Sequence, residues 1–94
     1  MLNQKCIIRT ESAGVHYGVL KSREGREVTM TECRRIWHWK GGFTLNEIAV
    51  NGLNETLSRL SIAVPEILLL EAIEIIPVSE AAVTVLDRTK SYEP

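Results

Sequence analysis

Apolar and polar residues alternate along much of the first half of the chain. A period of two marks a strand, because successive side chains point to opposite faces. Cys6–Thr10 is a short β-branched run and predicts a first strand. Ser12-Ala13-Gly14 predicts a turn or bulge, since glycine permits backbone angles that other residues avoid. Val15–Lys21 predicts a second strand, with Val15, Tyr17 and Val19 on one face and His16, Gly18 and Leu20 on the other. Ser22-Arg23-Glu24-Gly25 reads as a hairpin loop with Gly25 left-handed. Arg26–Glu32 alternates again with Val28 and Met30 inward, and Cys33–Lys40 continues as a strand up to Gly41-Gly42.

The pattern then changes period. Thr44-Leu45-Asn46-Glu47 fits a capping box, in which the Glu47 carboxylate reaches back to the Thr44 amide. Leu45, Ile48 and Ala49 form the apolar stripe of a short helix that Gly52 stops, and Asn51–Ser58 reads as polar loop. Leu60, Ile62 and Val64 predict a strand that ends at Pro65. Ile67–Ile76 is apolar enough to be buried on both faces, as one or two strands bent near Leu70-Glu71, and Pro77 ends it. Ser79 caps a last helix, Glu80–Leu86, and Asp87–Pro94 is a polar tail expected to be mobile.

Residues 1–86 therefore form a single β-rich domain, followed by a C-terminal tail over 87–94. The expected fold is α+β, mainly β: a small curved antiparallel sheet or barrel with two short helices.

Composition narrows the function classes. At 94 residues the chain allows one domain, whose small size makes association of subunits advantageous. A homo-oligomer is expected, and the apolar Ile67–Ile76 run is its motive. The net charge of −1 supplies no global basic field, so duplex DNA binding driven by counterion release is not expected. Cys6 and Cys33 make no disulfide framework and read as buried thiols of a reducing compartment. No apolar run reaches membrane-spanning length and no signal-peptide pattern opens the chain, so a soluble cytoplasmic protein is expected.

Candidate chemistry concentrates in Arg34-Arg35-Ile36-Trp37-His38-Trp39-Lys40. On a strand, Arg35, Trp37 and Trp39 share one face, and Arg34, Ile36, His38 and Lys40 the other. Two readings stand side by side. The tryptophans can be core bulk, with the arginines as solvated edge charges. Alternatively, an indole stacks on a planar ligand while Arg34, Arg35 or Lys40 contacts phosphate, with His16 or Tyr17 completing the wall.

The Ser12–Gly18 segment lacks the spacing of a phosphate loop, and its glycines also suit a bulged strand. His16 and Tyr17 point oppositely. Cys6, His16, Cys33 and His38 contain no locally spaced ligand pair, so neither a metal nor a cofactor is expected. No nucleophile motif frames Ser12, Cys6 or Cys33 beside a histidine, and Glu71 and Glu74 would face opposite sides of a strand. A non-enzymatic protein is expected.

Four segments in order carry a resemblance: Ile8-Arg9-Thr10, Ser12–Gly18, Cys33–Gly41 and Glu66–Pro77. Together they resemble a family of small proteins encoded by tailed bacteriophages and prophages, a domain of unknown function. The resemblance spans roughly residues 6–80. Its members are longer between the helix and the Pro65 strand, where this chain has the compact Asn51–Ser58. It implies a viral origin, the host cytoplasm and an accessory, non-virion role, and it supplies no catalytic residues. The first expectation is thus a phage accessory protein that counters host defence by binding a nucleotide-like ligand. The alternatives are an inhibitor or adaptor of a host protein and a single-stranded nucleic-acid binder.

Overall fold

The computed structural model describes residues 1–93. Three strands, β1 (Lys5–Thr10), β2 (Val15–Glu24) and β3 (Glu27–His38), follow one another as antiparallel neighbours. β2 runs on through Glu24, so the expected four-residue loop shrinks to Gly25-Arg26, with Gly25 at φ 62°. Ser22–Glu24 can extend the ladder because that end of the hairpin is exposed and asks for no apolar side chains.

β3 changes the side it buries midway. Tyr17 pairs with Arg34 but Val19 pairs with Thr31, so Glu32 and Cys33 together face Gly18. Glu32 has φ 46°, the left-handed region that side chains rarely enter. A Cβ on Gly18 would lie 2.9 Å from the Cys33 Cα, so only glycine fits opposite this bulge. The extra residue shifts the alternation by one. Val28, Met30 and Cys33 point to one side of the sheet, and Ile36 points to the other.

β3 is long enough to hold two short partners along its second edge. β4 (Arg59–Leu60) pairs with its end, and β5 (Val64–Leu69) with its beginning. The expected strand over Leu60–Val64 is therefore two residues long, and Pro65 lies inside β5 instead of ending a strand. Proline is tolerated there because β5 is an edge strand. β6 (Ala72–Pro77) pairs with β1 at the opposite margin. β5 and β6 are both antiparallel to strands that run the same way, so they form one strand kinked at Leu70-Glu71, where the sequence places the bend. The six-stranded sheet is strongly curved but is not a closed barrel.

Two apolar clusters result. α1 (Leu45–Asn51) and α2 (Glu80–Arg88) cover one side, where Ile48, Ala49 and Leu86 meet Ile7, Tyr17, Ile36 and Leu60. On the other side the sheet curls over its own residues: Cys6, Ile8, Leu20, Val28, Met30, Cys33 and Leu69. Each fully buried Val, Leu, Ile or Met among them contributes roughly 1.5–3 kcal/mol by leaving water. The Ile67–Ile76 run is not buried on both faces, for Leu68, Leu70 and Ile73 are 55%, 62% and 43% exposed. A curved sheet encloses only its concave side, and the helices do not reach this part of the convex one.

Thr44 Oγ1 accepts from the Glu47 amide at 3.3 Å, as the capping box requires. The Glu47 carboxylate accepts from the Phe43 amide at 3.5 Å, one residue before the expected donor. Ser79 Oγ accepts from the Ala82 amide at 3.1 Å and caps α2. α2 extends past Leu86 to Arg88, and the polar segment beyond it is docked. Ser91 bridges to Leu60, and the Tyr92 amide donates to the Leu60 carbonyl at 2.9 Å. Of the expected tail, Pro94 lies outside the described residues. Among the described residues, no helix is long and apolar enough to cross a membrane.

Candidate functional site

The bulge at Glu32 decides where the basic residues of β3 go. Arg34 falls on the helix-covered side and is only 8% exposed. Its Nε donates to the Ser61 carbonyl at 3.0 Å and its Nη1 to the Leu86 carbonyl at 2.8 Å. The second acceptor belongs to the last turn of α2, where a cation suits the helix dipole. Opposite Arg34, the Tyr17 hydroxyl donates to Asp87 Oδ1 at 2.7 Å, and Lys5 Nζ reaches the same oxygen at 3.2 Å. Burial, together with the Asp87 carboxylate, pushes the Tyr17 phenol far above its usual range. Arg34 and Tyr17 thus hold α2 against the sheet, and neither side chain is free for a ligand.

His16 points to the other side, as alternation requires, and is 1% exposed. Its Nε2 lies 2.9 Å from the Ala13 carbonyl, which assigns the proton to Nε2. Nδ1 is left as acceptor and faces Cys33 Sγ at 3.8 Å. Burial lowers the His16 pKa and raises the Cys33 thiol to about 11. A nucleophilic cysteine needs the opposite shift, a thiolate stabilised by a cation. The pair is a neutral thiol beside a neutral imidazole, at the base of an apolar cleft of about 230 Å³ lined in part by Ile62, Val64 and Ile67. Glu74 pairs with Arg9 at 2.8 Å, and Glu71 is exposed at the bend between β5 and β6.

The tryptophans separate. Trp37 is 48% exposed, whereas Trp39 packs against the helix-side cluster. The expectation that they share a face fails because β3 ends at His38, so Trp39 is no longer bound by strand alternation. Arg35, His38 and Lys40 are exposed.

Around Trp37 two residues assemble that the sequence reading missed. The His38–Arg59 pairing of β3 with β4 brings Arg59 alongside. The Tyr92–Leu60 backbone bond brings Tyr92. The Trp37 and Tyr92 rings meet edge-on at 5.4 Å with an interplanar angle of 78°. The Arg59 guanidinium carbon lies 4.5 Å from the Tyr92 ring centroid and 5.4 Å from that of Trp37. Among the described residues, no carboxylate pairs with Arg59, Arg35 or Lys40. A cavity of about 400 Å³ adjoins Tyr92, lined also by Ser58, Arg88, Lys90 and Glu55. Glu55 is neutralised there by Arg88 at 2.7 Å. A lone tyrosine in an otherwise polar segment was the available signal. The approach of Arg59 had none, since it depends on a long-range pairing.

Among the described residues, no three His, Cys, Asp or Glu side chains converge on a possible metal position. A family model described as a domain of unknown function, DUF6948, matches residues 3–86. The chain belongs to this family. Trp37 and Arg59 lie inside the matched region and Tyr92 beyond it. No curated protein and no solved structure matches the chain.

Proposed function

We propose that this DUF6948 member is a non-enzymatic accessory protein, encoded by a phage or prophage, that binds a nucleotide-like ligand at Trp37, Arg59 and Tyr92. One observation carries the reading: a guanidinium held over two exposed aromatic rings and, among the described residues, in no ion pair with a carboxylate. Stacking of a base on an aromatic ring contributes roughly 1–3 kcal/mol, and a guanidinium fork matches phosphate oxygens. The cavity beside Tyr92 falls in the size range of small-molecule sites, about 300–1,000 Å³. Of the trio only Tyr92 lines it, and its wall carries Lys90 together with the Glu93 carboxylate. Arg35 and Lys40 remain as outer contacts, whereas Arg34, His16 and Tyr17 leave the proposed site because their side chains are engaged or buried. Sequestering a nucleotide signal of a host defence system, in the host cytoplasm, is the role that fits such a binder.

Calorimetric titration with mono-, di- and cyclic nucleotides tests this. Heat with at least one nucleotide, lost in Trp37→Ala and Arg59→Ala, is expected. No heat with any of them would sink the proposal. A second reading draws on the same exposed trio, because Trp, Tyr and Arg also dominate the energetics of protein–protein interfaces. It predicts one co-purifying host protein, displaced by Trp37→Ala, and indifference to nucleotides.

A further inference from the structure

β5 is bonded on one side only. Its ladder to β3 runs from Leu69 opposite Val28 to Val64 opposite Cys33. Among the described residues no other strand pairs with it, and no backbone hydrogen bond reaches 64–70 from the far side. Alternate amides and carbonyls of an edge strand point away from its neighbour, so this edge offers unused donors and acceptors.

Edge strands are ordinarily guarded by charges, prolines or bulges. β5 has such guards only at its start, in Pro65 and Glu66, and the Glu66 carboxylate accepts from Lys21 Nζ at 2.8 Å. Ile67–Leu70 carries none. Leu68 and Leu70, more than half exposed, stand on this unguarded stretch. A cleft of about 230 Å³ runs beside it, between Leu68–Glu71 and Thr10, Ser12 and Ala13.

We infer that the free edge of β5 pairs antiparallel with β5 of a second copy of this chain, in a two-fold dimer that covers Leu68 and Leu70. The occupant must bring an extended backbone with apolar side chains, and a second β5 has both. It is also the one partner always present in stoichiometric amount, which matters because an unguarded apolar edge is an aggregation hazard whenever the chain is free. A two-fold pairing uses up both edges and closes, so it does not propagate. The net charge of −1 puts little repulsion between copies. The inference is independent of the ligand reading, because Trp37 lies near the opposite end of β3 from the residues that pair with Leu68 and Leu69.

Light scattering on the full chain at roughly micromolar concentration, where interfaces of modest size assemble, is expected to give twice the monomer mass of 10.6 kDa. The Leu68→Lys/Leu70→Lys double variant is expected to run as a monomer with an unchanged circular dichroism spectrum, since neither leucine fills a core. Phe43→Lys, at a side chain 95% exposed beside α1, is expected to stay dimeric. Hydrogen exchange on the unaltered protein reads the ladder directly: amides within 66–70 should slow as concentration rises. A monomeric unaltered protein overturns the inference, including one that instead binds a foreign extended peptide. So does a mass above two chains, a folded double variant that remains dimeric, loss of the dimer in Phe43→Lys, or exchange at 66–70 that ignores concentration. If the double variant does not fold, the exchange measurement alone decides.

Discussion

The two sides of the sheet bury their apolar residues by different means. On one side, α1 and α2 are separate pieces laid over the strands, and polar contacts position them. Arg34 ties the end of α2 to β3, Tyr17 ties Asp87 to β2, and Ser79 Oγ donates to the Val50 carbonyl at 2.6 Å, linking the two helices. On the other side nothing is added: the sheet bends until β5 and β6 shield what β1–β3 present. Curling needs few polar ties, but the bend is not completed into a ring, so among the described residues the outer edges of β5 and β6 have no partner strand. The contrast teaches where each side is vulnerable. The helix-covered side depends on a few directional bonds. The curled side depends on backbone shape and on keeping His16 and Cys33 uncharged.

Breaking the directional bonds should give the largest effect. Arg34→Ala leaves the Ser61 and Leu86 carbonyls without their donor and removes a charged hydrogen-bond partner. Hydrogen bonds to charged groups are worth about 1.5–3 kcal/mol, so a loss of about 3 kcal/mol is expected in urea unfolding. Arg35→Ala, one residue away but exposed, should stay within about 0.5 kcal/mol of the unaltered protein. Equal costs for the two would mean that the parity switch at Glu32 does not set the roles of these arginines.

The curled side should reveal itself through pH. The Cys33 thiol is held at about 11 against an ordinary 9.0, so the folded protein keeps a proton that the unfolded chain gives up. Stability contributed this way is full below pH 9 and fades as pH climbs toward 11, by a total on the order of 2 kcal/mol. His16 works from the other end. Its pKa is lowered from 6.5, so the unfolded chain binds the extra proton, and stability falls as pH drops below 6.5. The stability profile of Cys33→Ala should lose part of the alkaline slope, the remainder belonging to Tyr17 and Cys6, whose pKa values are also raised by burial, and that of His16→Gln should lose the acid slope. Tyr17, on the helix side, titrates only at the alkaline end, so an acid slope that survives His16→Gln would assign it to other groups.

Local signals in the sequence carried much of this fold. The β2–β3 hairpin, both helix caps and the bend at Leu70-Glu71 are set by residues close to one another in the chain. In the first half of the Arg-Trp segment the alternation holds, with Arg34 and Ile36 buried and Arg35 and Trp37 exposed, but the bulge at Glu32 decides which side of the sheet each face meets, and a left-handed glutamate leaves no mark in composition. The burial of Arg34 was invisible for a related reason, since its acceptors lie 27 and 52 residues away. The exposed cluster was half legible. Trp37 stood out by residue type, whereas Arg59 and Tyr92 join it only through β4 and its neighbours. The hydropathy of Ile67–Ile76 predicts strand but not the exposure of Leu68, Leu70 and Ile73, because it does not say how far a sheet curls.

The smallest effect sharpens the comparison at the margin of the two sides, where the tryptophans part. Trp37 stands on the outer surface against Arg59 and Tyr92, and Trp39 is packed against the helix-side cluster. A neutral quencher should therefore see two populations of indole, and Trp37→Phe should delete the accessible one. Stability should hardly change, because the ring keeps its exposed position and Phe can still meet Tyr92 edge-on, a contact worth about 0.5–1.5 kcal/mol at most. Trp39→Phe should delete the protected population instead and cost more, since its indole packs against buried residues. If Trp37→Phe left quencher access unchanged, the exposed indole would be Trp39, strand alternation would persist beyond His38, and the ligand site would have to be rebuilt around Trp39 without Arg59 and Tyr92.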